Sequence, residues 1–101
     1  MSHFFLRLIP PRPTFPADMN AQERELMGQH AAYFVGLFQA GKVIAYGPVM
    51  ASEGAFGMAI FELPDAAEAQ AIMARDPTIV AGLNRYTLSP MHLAASRSKA
   101  E

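Results

Sequence analysis

Residues 55–63, AFGMAIFEL, are apolar on both alternations of an extended chain: Phe56, Met58 and Ile60 on one side, Ala55, Ala59 and Phe61 on the other. An antiparallel sheet with one wet face alternates cleanly between apolar and polar side chains. A strand that does not alternate needs cover on both faces. Any fold for this chain must therefore place residues 55–63 within a sheet and supply a layer on each side of it.

The rest of the chain reads as elements that could do so. Residues 3–9, HFFLRLI, predict a first strand, with Phe4, Leu6 and Leu8 on one face and His3, Phe5, Arg7 and Ile9 on the other. Residues 10–19, PPRPTFPADM, hold four prolines, which remove amide donors and fix φ, so this segment is a stiff extended loop. Arg12 and Phe15 project from it as a plausible pocket rim. Asn20 can cap a helix, with Glu23 as its capping-box partner. Leu26, His30, Tyr33, Phe34 and Leu37 follow at three- and four-residue spacing as one buried stripe, and Gly41 stands where a left-handed residue ends a helix.

Residues 42–48, KVIAYGP, predict a second strand closed by Pro48, and 50–54 a turn into the strand 55–63. Within that third strand Gly57 predicts a bulge or a close backbone approach. Asp65 and Glu68 open an alanine-rich second helix that Asp76-Pro77 ends, since proline disfavours helix in the residue before it. A helical turn over 78–83 leads to a fourth strand, 84–92, whose Pro90 argues for a sheet edge. Residues 93–101 read as a flexible polar tail, so the domain spans 1–92.

The order βαββαβ predicts an α+β, ferredoxin-like fold: a four-stranded antiparallel sheet with two helices on one face. Two helices leave the other face bare. Either a second copy covers it, giving a homodimer packed sheet to sheet, or it forms a groove for an apolar ligand.

Composition removes several function classes. With 51% hydrophobic and 17% charged residues the chain is too apolar to be disordered. A net charge of −1 provides no electrostatic footprint for nucleic acid or an acidic membrane. No cysteine is present, which excludes disulfides, thiolate metal sites and a cysteine nucleophile. No signal-peptide pattern and no membrane-length apolar run occur, so a cytoplasmic location is expected. His3 and His92 end the two strands expected to pair, but they lack a further ligand, and no metal or other cofactor is expected.

His30 is the main candidate for chemistry, because it interrupts an apolar stripe. It is either a core histidine with its ring nitrogens satisfied or a base needing a partner to orient it. Asp76, at the end of the second helix, is the available partner, although an aspartate before proline is also ordinary turn chemistry. Arg7 either snorkels at the sheet or anchors an anionic group of a substrate. Tyr46, just before Gly47-Pro48, either lines the same pocket or belongs to the core.

These residues, in their order and spacing, resemble the YciI-like (YCII-related) family. The features are a strand, a helix carrying His30, Gly41-Lys42-Val43 leading to Gly47-Pro48, and a glycine-bearing strand. An acidic-capped helix, Asp76-Pro77, Ala81-Gly82-Leu83 and a last strand reaching Pro90 complete it. The resemblance implies a ferredoxin-like fold assembled as a dimeric α+β barrel, and a His–Asp site falling on His30 and Asp76. Some relatives are associated with dehydrochlorination of chlorinated, hydroxylated aromatics, a proton-abstraction and elimination chemistry. This sequence departs from the family in Thr78, where an aromatic is often found, and in the proline loop 10–19.

Three functions remain open at this point. One is a cofactor-independent lyase or isomerase acting on a small, aromatic or lactone-like substrate, with His30 as general base or acid and Asp76 orienting it. The second is a non-catalytic dimer that binds a small molecule or serves as an accessory protein. The third is a structural dimer in which His30 is simply buried.

Overall fold

The computed structural model describes residues 1–97 of the chain. Strand β1 (Ser2–Ile9) is followed by helix α1 (Ala21–Gln39), strands β2 (Val43–Val49) and β3 (Phe56–Leu63), helices α2 (Ala66–Ala74) and α3 (Pro77–Val80), and strand β4 (Arg85–Met91). The strands form one sheet in the order β2-β3-β1-β4, with every neighbouring pair antiparallel. This is the ferredoxin-like α+β arrangement. It places β3, the strand apolar on both alternations, in the interior beside β1.

Alternation sorts the side chains as the pattern demands. Phe4, Leu6 and Leu8 of β1 and Ala59, Phe61 and Leu63 of β3 are buried against the helices, where they meet Phe34, Leu37, Ala69, Ile72 and Met73. Phe5, Ile9, Phe56, Met58 and Ile60 occupy the opposite face and are only half-buried in the single chain.

Local signals explain the helix ends. Asn20 accepts from the Glu23 amide at 2.8 Å and the Glu23 carboxylate accepts from the Asn20 amide at 3.0 Å, a complete capping box. At the other end Gly41 has φ +78°. Its amide donates to the Phe38 carbonyl and the Lys42 amide to the Leu37 carbonyl, the paired bonds of a Schellman stop. Asp65 caps α2 by accepting from the Glu68 amide at 2.9 Å.

Two expectations shift. Strand β2 does not close at Pro48 but runs through it to Val49; β2 is an edge strand, so a residue without an amide donor is tolerated there. The irregular register lies between Val43 and Ala45 of β2, not at Gly57. Gly57 instead permits close packing, since a Cβ there would stand 3.1 Å from that of Leu8. Of the tail expected over 93–101, residues 93–97 carry no regular secondary structure, and 98–101 lie outside the described residues.

Candidate functional site

The apolar stripe expected on α1 is solid only at Phe34 and Leu37, while Leu26, His30 and Tyr33 are half-buried. His30 faces a cavity of about 390 Å³ between the middle of α1 and the sheet. Its helix wall is the i, i+3, i+4, i+7 face Met27, His30, Ala31 and Phe34. Leu6, Leu8 and Gly57 form the floor, Tyr46 to Pro48 one side, and Phe15 and Pro16 of the proline loop another. The volume suits a small organic ligand, and the walls are almost wholly apolar.

His30 is held at this wall by Asp76. Its Nδ1 stands 2.6 Å from the Asp76 Oδ2, across 46 residues of chain. The Asp76 side chain is fully buried, whereas that of His30 retains 17% of its surface. Asp76 caps α3, and its Oδ1 accepts from both the Thr78 amide at 2.8 Å and the Thr78 hydroxyl at 2.7 Å. Burial works against the charged carboxylate, but the hydrogen bonds from His30 and Thr78 and the attraction of the imidazole outweigh it. The net result is a carboxyl held below its ordinary value of 3.8.

An ionised carboxylate is acceptor-only, so in the neutral ring the proton sits on Nδ1 and donates to Asp76. The lone pair is then on Nε2, the nitrogen that Asp76 does not engage. A tilted contact with Phe34, ring centroids 4.7 Å apart, also fixes the imidazole plane. The arrangement is chemically a base with a fixed tautomer and an anion behind it to stabilise its protonated form.

Tyr46 joins His30 at the cavity: its ring contacts Phe34 at 5.6 Å and Phe38 at 5.9 Å between centroids. Arg7 does not. It lies on the β1 alternation that faces away from the helices, exposed, with its guanidinium 3.7 Å from the centre of the Phe56 ring. Because the cavity is on the helix side of the sheet, the parity of the strand keeps Arg7 off its walls. His3 shares that outer face, where its Nε2 lies 3.0 Å from the Glu62 carboxylate of the neighbouring strand.

The proline loop is fastened down rather than free. Arg12, expected at the rim, grips Glu23 through both carboxylate oxygens at 2.7 and 2.9 Å, and Asp18 at 3.0 Å. Hydrogen bonds from Arg12 and from the Asn20 amide lower the Glu23 carboxyl to about 2. So anchored, the loop drives Phe15 inward, 4% exposed, to close the cavity. The Phe15-Pro16 peptide bond is cis.

Sequence reading missed three residues of this site. Thr78 was noted only as a departure from a family pattern, yet its two donors seat Asp76; the Asp-Pro-Thr order is itself a cap signature that pointed there. Met27 lies outside the stripe drawn through Leu26. Asn84 carried no local signal. It lines the cavity, is 4% exposed, and its Oδ1 is buried without a partner, an arrangement that costs about 1–3 kcal/mol.

Among curated proteins no match is found. Among solved structures the chain is similar to the 5-chloro-2-hydroxyhydroquinone dehydrochlorinase TftG of Burkholderia phenoliruptrix AC1100, in complex with 2,5-dihydroxybenzoquinone. The TM-score is 0.57 at 18% identity, covering 88% of this chain and 93% of that one, a likeness of fold. The profile of the YCII-related domain matches residues 3–92, from the first strand to the residue just after the last, and the chain belongs to that family.

Proposed function

We propose that the protein is a cofactor-independent lyase or isomerase that moves a proton on a small ring compound, aromatic or lactone-like. The observation that carries this reading is the His30–Asp76 pair at the wall of an apolar cavity, with only one ring nitrogen engaged by the carboxylate. His30 Nε2 takes a proton from the substrate, and Asp76 stabilises the resulting imidazolium and keeps the ring in register. The same nitrogen then returns the proton to a new position, in isomerisation, or to a departing group, in elimination. Tyr46 packs on one side of the substrate. Arg7 stacks on Phe56 away from His30 and takes no direct part. The apolar surroundings exclude water and strengthen the electrostatic contribution of Asp76.

The dehydrochlorinase of similar fold supports the substrate class, since it binds a dihydroxylated quinone. A screen of hydroxylated and halogenated phenols and lactones tests the reading. Wild type is expected to turn over at least one such compound, and His30→Ala to do so 10²- to 10⁴-fold more slowly, the usual worth of a positioned acid–base group. Equal turnover by the two proteins, or none by wild type across the screen, sinks the catalytic reading.

The active unit in this proposal is a cytoplasmic homodimer. The sheet face with Phe5, Phe56, Met58 and Ile60 supports it, because the helices cover only the other side. Among the described residues no helix is long and apolar enough to cross a membrane. A second reading, a non-catalytic dimer that binds a small molecule in the same cavity, is favoured by the almost wholly apolar walls, and the same screen separates the two.

A further inference from the structure

Asp76 has two carboxylate oxygens and they face different partners. Oδ2 stands 2.6 Å from His30 Nδ1, while Oδ1 accepts from the Thr78 amide at 2.8 Å and the Thr78 hydroxyl at 2.7 Å. The amide bond is the ordinary work of a helix cap, and any residue but proline at position 78 would supply it. The hydroxyl bond is particular to the side chain. It puts a second donor on an oxygen that the cap already satisfies, in a place closed to water, since Thr78 and Asp76 are both 0% exposed. Thr78 is also fixed from its other end, because its carbonyl accepts from the amides of Leu83 at 2.9 Å and Asn84 at 3.2 Å.

Among the described residues His30 is the only basic side chain within ion-pair distance of the Asp76 carboxylate. Helix α3 itself, Pro77 to Val80, carries no titratable group. From α1 Tyr33 lies in range of the Asp76 charge, but its hydroxyl already donates to the Ile72 carbonyl at 2.7 Å; Arg75 and Glu68 lie near Tyr33 in turn, and Tyr46 faces the pair across the cavity. The buried charge is therefore divided between His30 and Thr78. Burial pushes the carboxyl up, and the bonds from these two residues more than offset it.

We propose that Thr78 is a positioning residue of the dyad, whose hydroxyl, acting through Asp76 Oδ1, holds Oδ2 towards His30 and takes up part of the charge that the imidazole meets. This rests on the His30–Asp76 pair being the reactive group proposed above. With the hydroxyl in place the carboxylate stays ionised in its buried seat and remains an acceptor for the Nδ1 proton. Its hold on the imidazolium is also moderated, so a proton taken up at Nε2 can be given back. Without the hydroxyl the carboxylate binds a proton more readily and grips the imidazolium harder.

The test compares wild type, Thr78→Val and Thr78→Ser. Valine keeps the shape and the backbone amide without the hydroxyl, and serine keeps the hydroxyl. The Asp76 carboxyl carbon is followed by nuclear magnetic resonance as pH falls, and its titration is expected to move up by about one pH unit in Thr78→Val while Thr78→Ser stays close to wild type. The second readout is modification of His30 by diethyl pyrocarbonate, which attacks only the neutral imidazole and is read residue by residue by mass spectrometry. Its onset with rising pH is expected at higher pH in Thr78→Val than in wild type or Thr78→Ser. Either profile unmoved in Thr78→Val overturns the proposal, as does a serine variant that behaves like valine.

Should Thr78→Val not fold, the wild-type hydroxyl proton of Thr78 decides the matter. Its resonance is expected to shift as His30 takes up a proton, because the two are joined through one carboxylate. A resonance unmoved across that titration overturns the proposal. None of these readouts uses a substrate, so a failed substrate screen with these profiles as expected counts against the catalytic reading alone.

Discussion

Two charged clusters brace elements that wall the cavity, and they do different work. Arg12 with Glu23 and Asp18 lies at the surface, held by two-pronged contacts between residues close in sequence. His30 with Asp76 joins residues 46 apart, and its carboxylate is fully buried. Screening by water and salt makes the first a fastener worth little to the whole fold. Burial makes the second costly to break and sensitive to its partners, because a buried group left unpaired has no water to replace what it lost. One pair holds the lid segment; the other orients a reactive ring.

The largest effect should come from removing the buried anion. Asp76→Ala strands the His30 Nδ1–H and both donors of Thr78, and is expected to cost about 3–5 kcal/mol. For a domain of this size that lowers Tm by well over 10 °C. A calorimetric Tm within a few degrees of wild type would erase the contrast between the pairs.

Phe15→Ala probes the connection between them. It removes a buried ring from the cavity wall and is expected to cost about 3 kcal/mol in chemical denaturation. It should also let p-substituted phenols with bulkier groups bind, while the His30–Asp76 contact persists. An unchanged ligand size limit would show that the loop is not part of the site.

Acid titration sharpens the comparison through its sign. The folded-state value for Asp76 lies below its ordinary 3.8, so its contribution to stability is complete above that range and is lost as pH falls through the lowered folded value. The stability gap between wild type and Asp76→Asn should therefore shrink as pH falls below about 4. Glu23 behaves alike, its contribution fading as pH falls from 4.5 towards about 2. A gap that widens as pH falls below about 4 contradicts the assignment of an ionised Asp76.

The smallest effect is expected from Arg12→Ala. It should lower Tm by far less than Asp76→Ala, by an amount that diminishes further in high salt, and should raise hydrogen exchange chiefly over residues 12–19. A loss matching that of Asp76→Ala would mean that the loop, not the dyad, is the keystone of the cavity.

Much of this molecule was legible because its signals are local. The capping box of Asn20 and Glu23, the stop at Gly41 and the alternation of β1 each depend on residues within a few positions. The βαββαβ order then leaves few topologies. His30 was conspicuous for the same reason, as a polar residue on an apolar stripe, and the turn at Asp76-Pro77 marked its partner.

What only the tertiary structure decided is how separate signals meet. Strand parity put Arg7 on the side of the sheet away from the cavity, though as a lone cation in an apolar strand it looked like a ligand anchor. The packing of α3 beneath α1 brought Asp76 within hydrogen-bond reach of His30 and turned Thr78 into its support. The same packing buried the Asn84 side chain, 57 residues away in sequence, against Met27. Sequence by itself determined the elements, their ends and their faces, because these follow from backbone geometry a few residues at a time. Distances between side chains tens of residues apart follow from the register and packing of whole elements, and only the folded chain sets those.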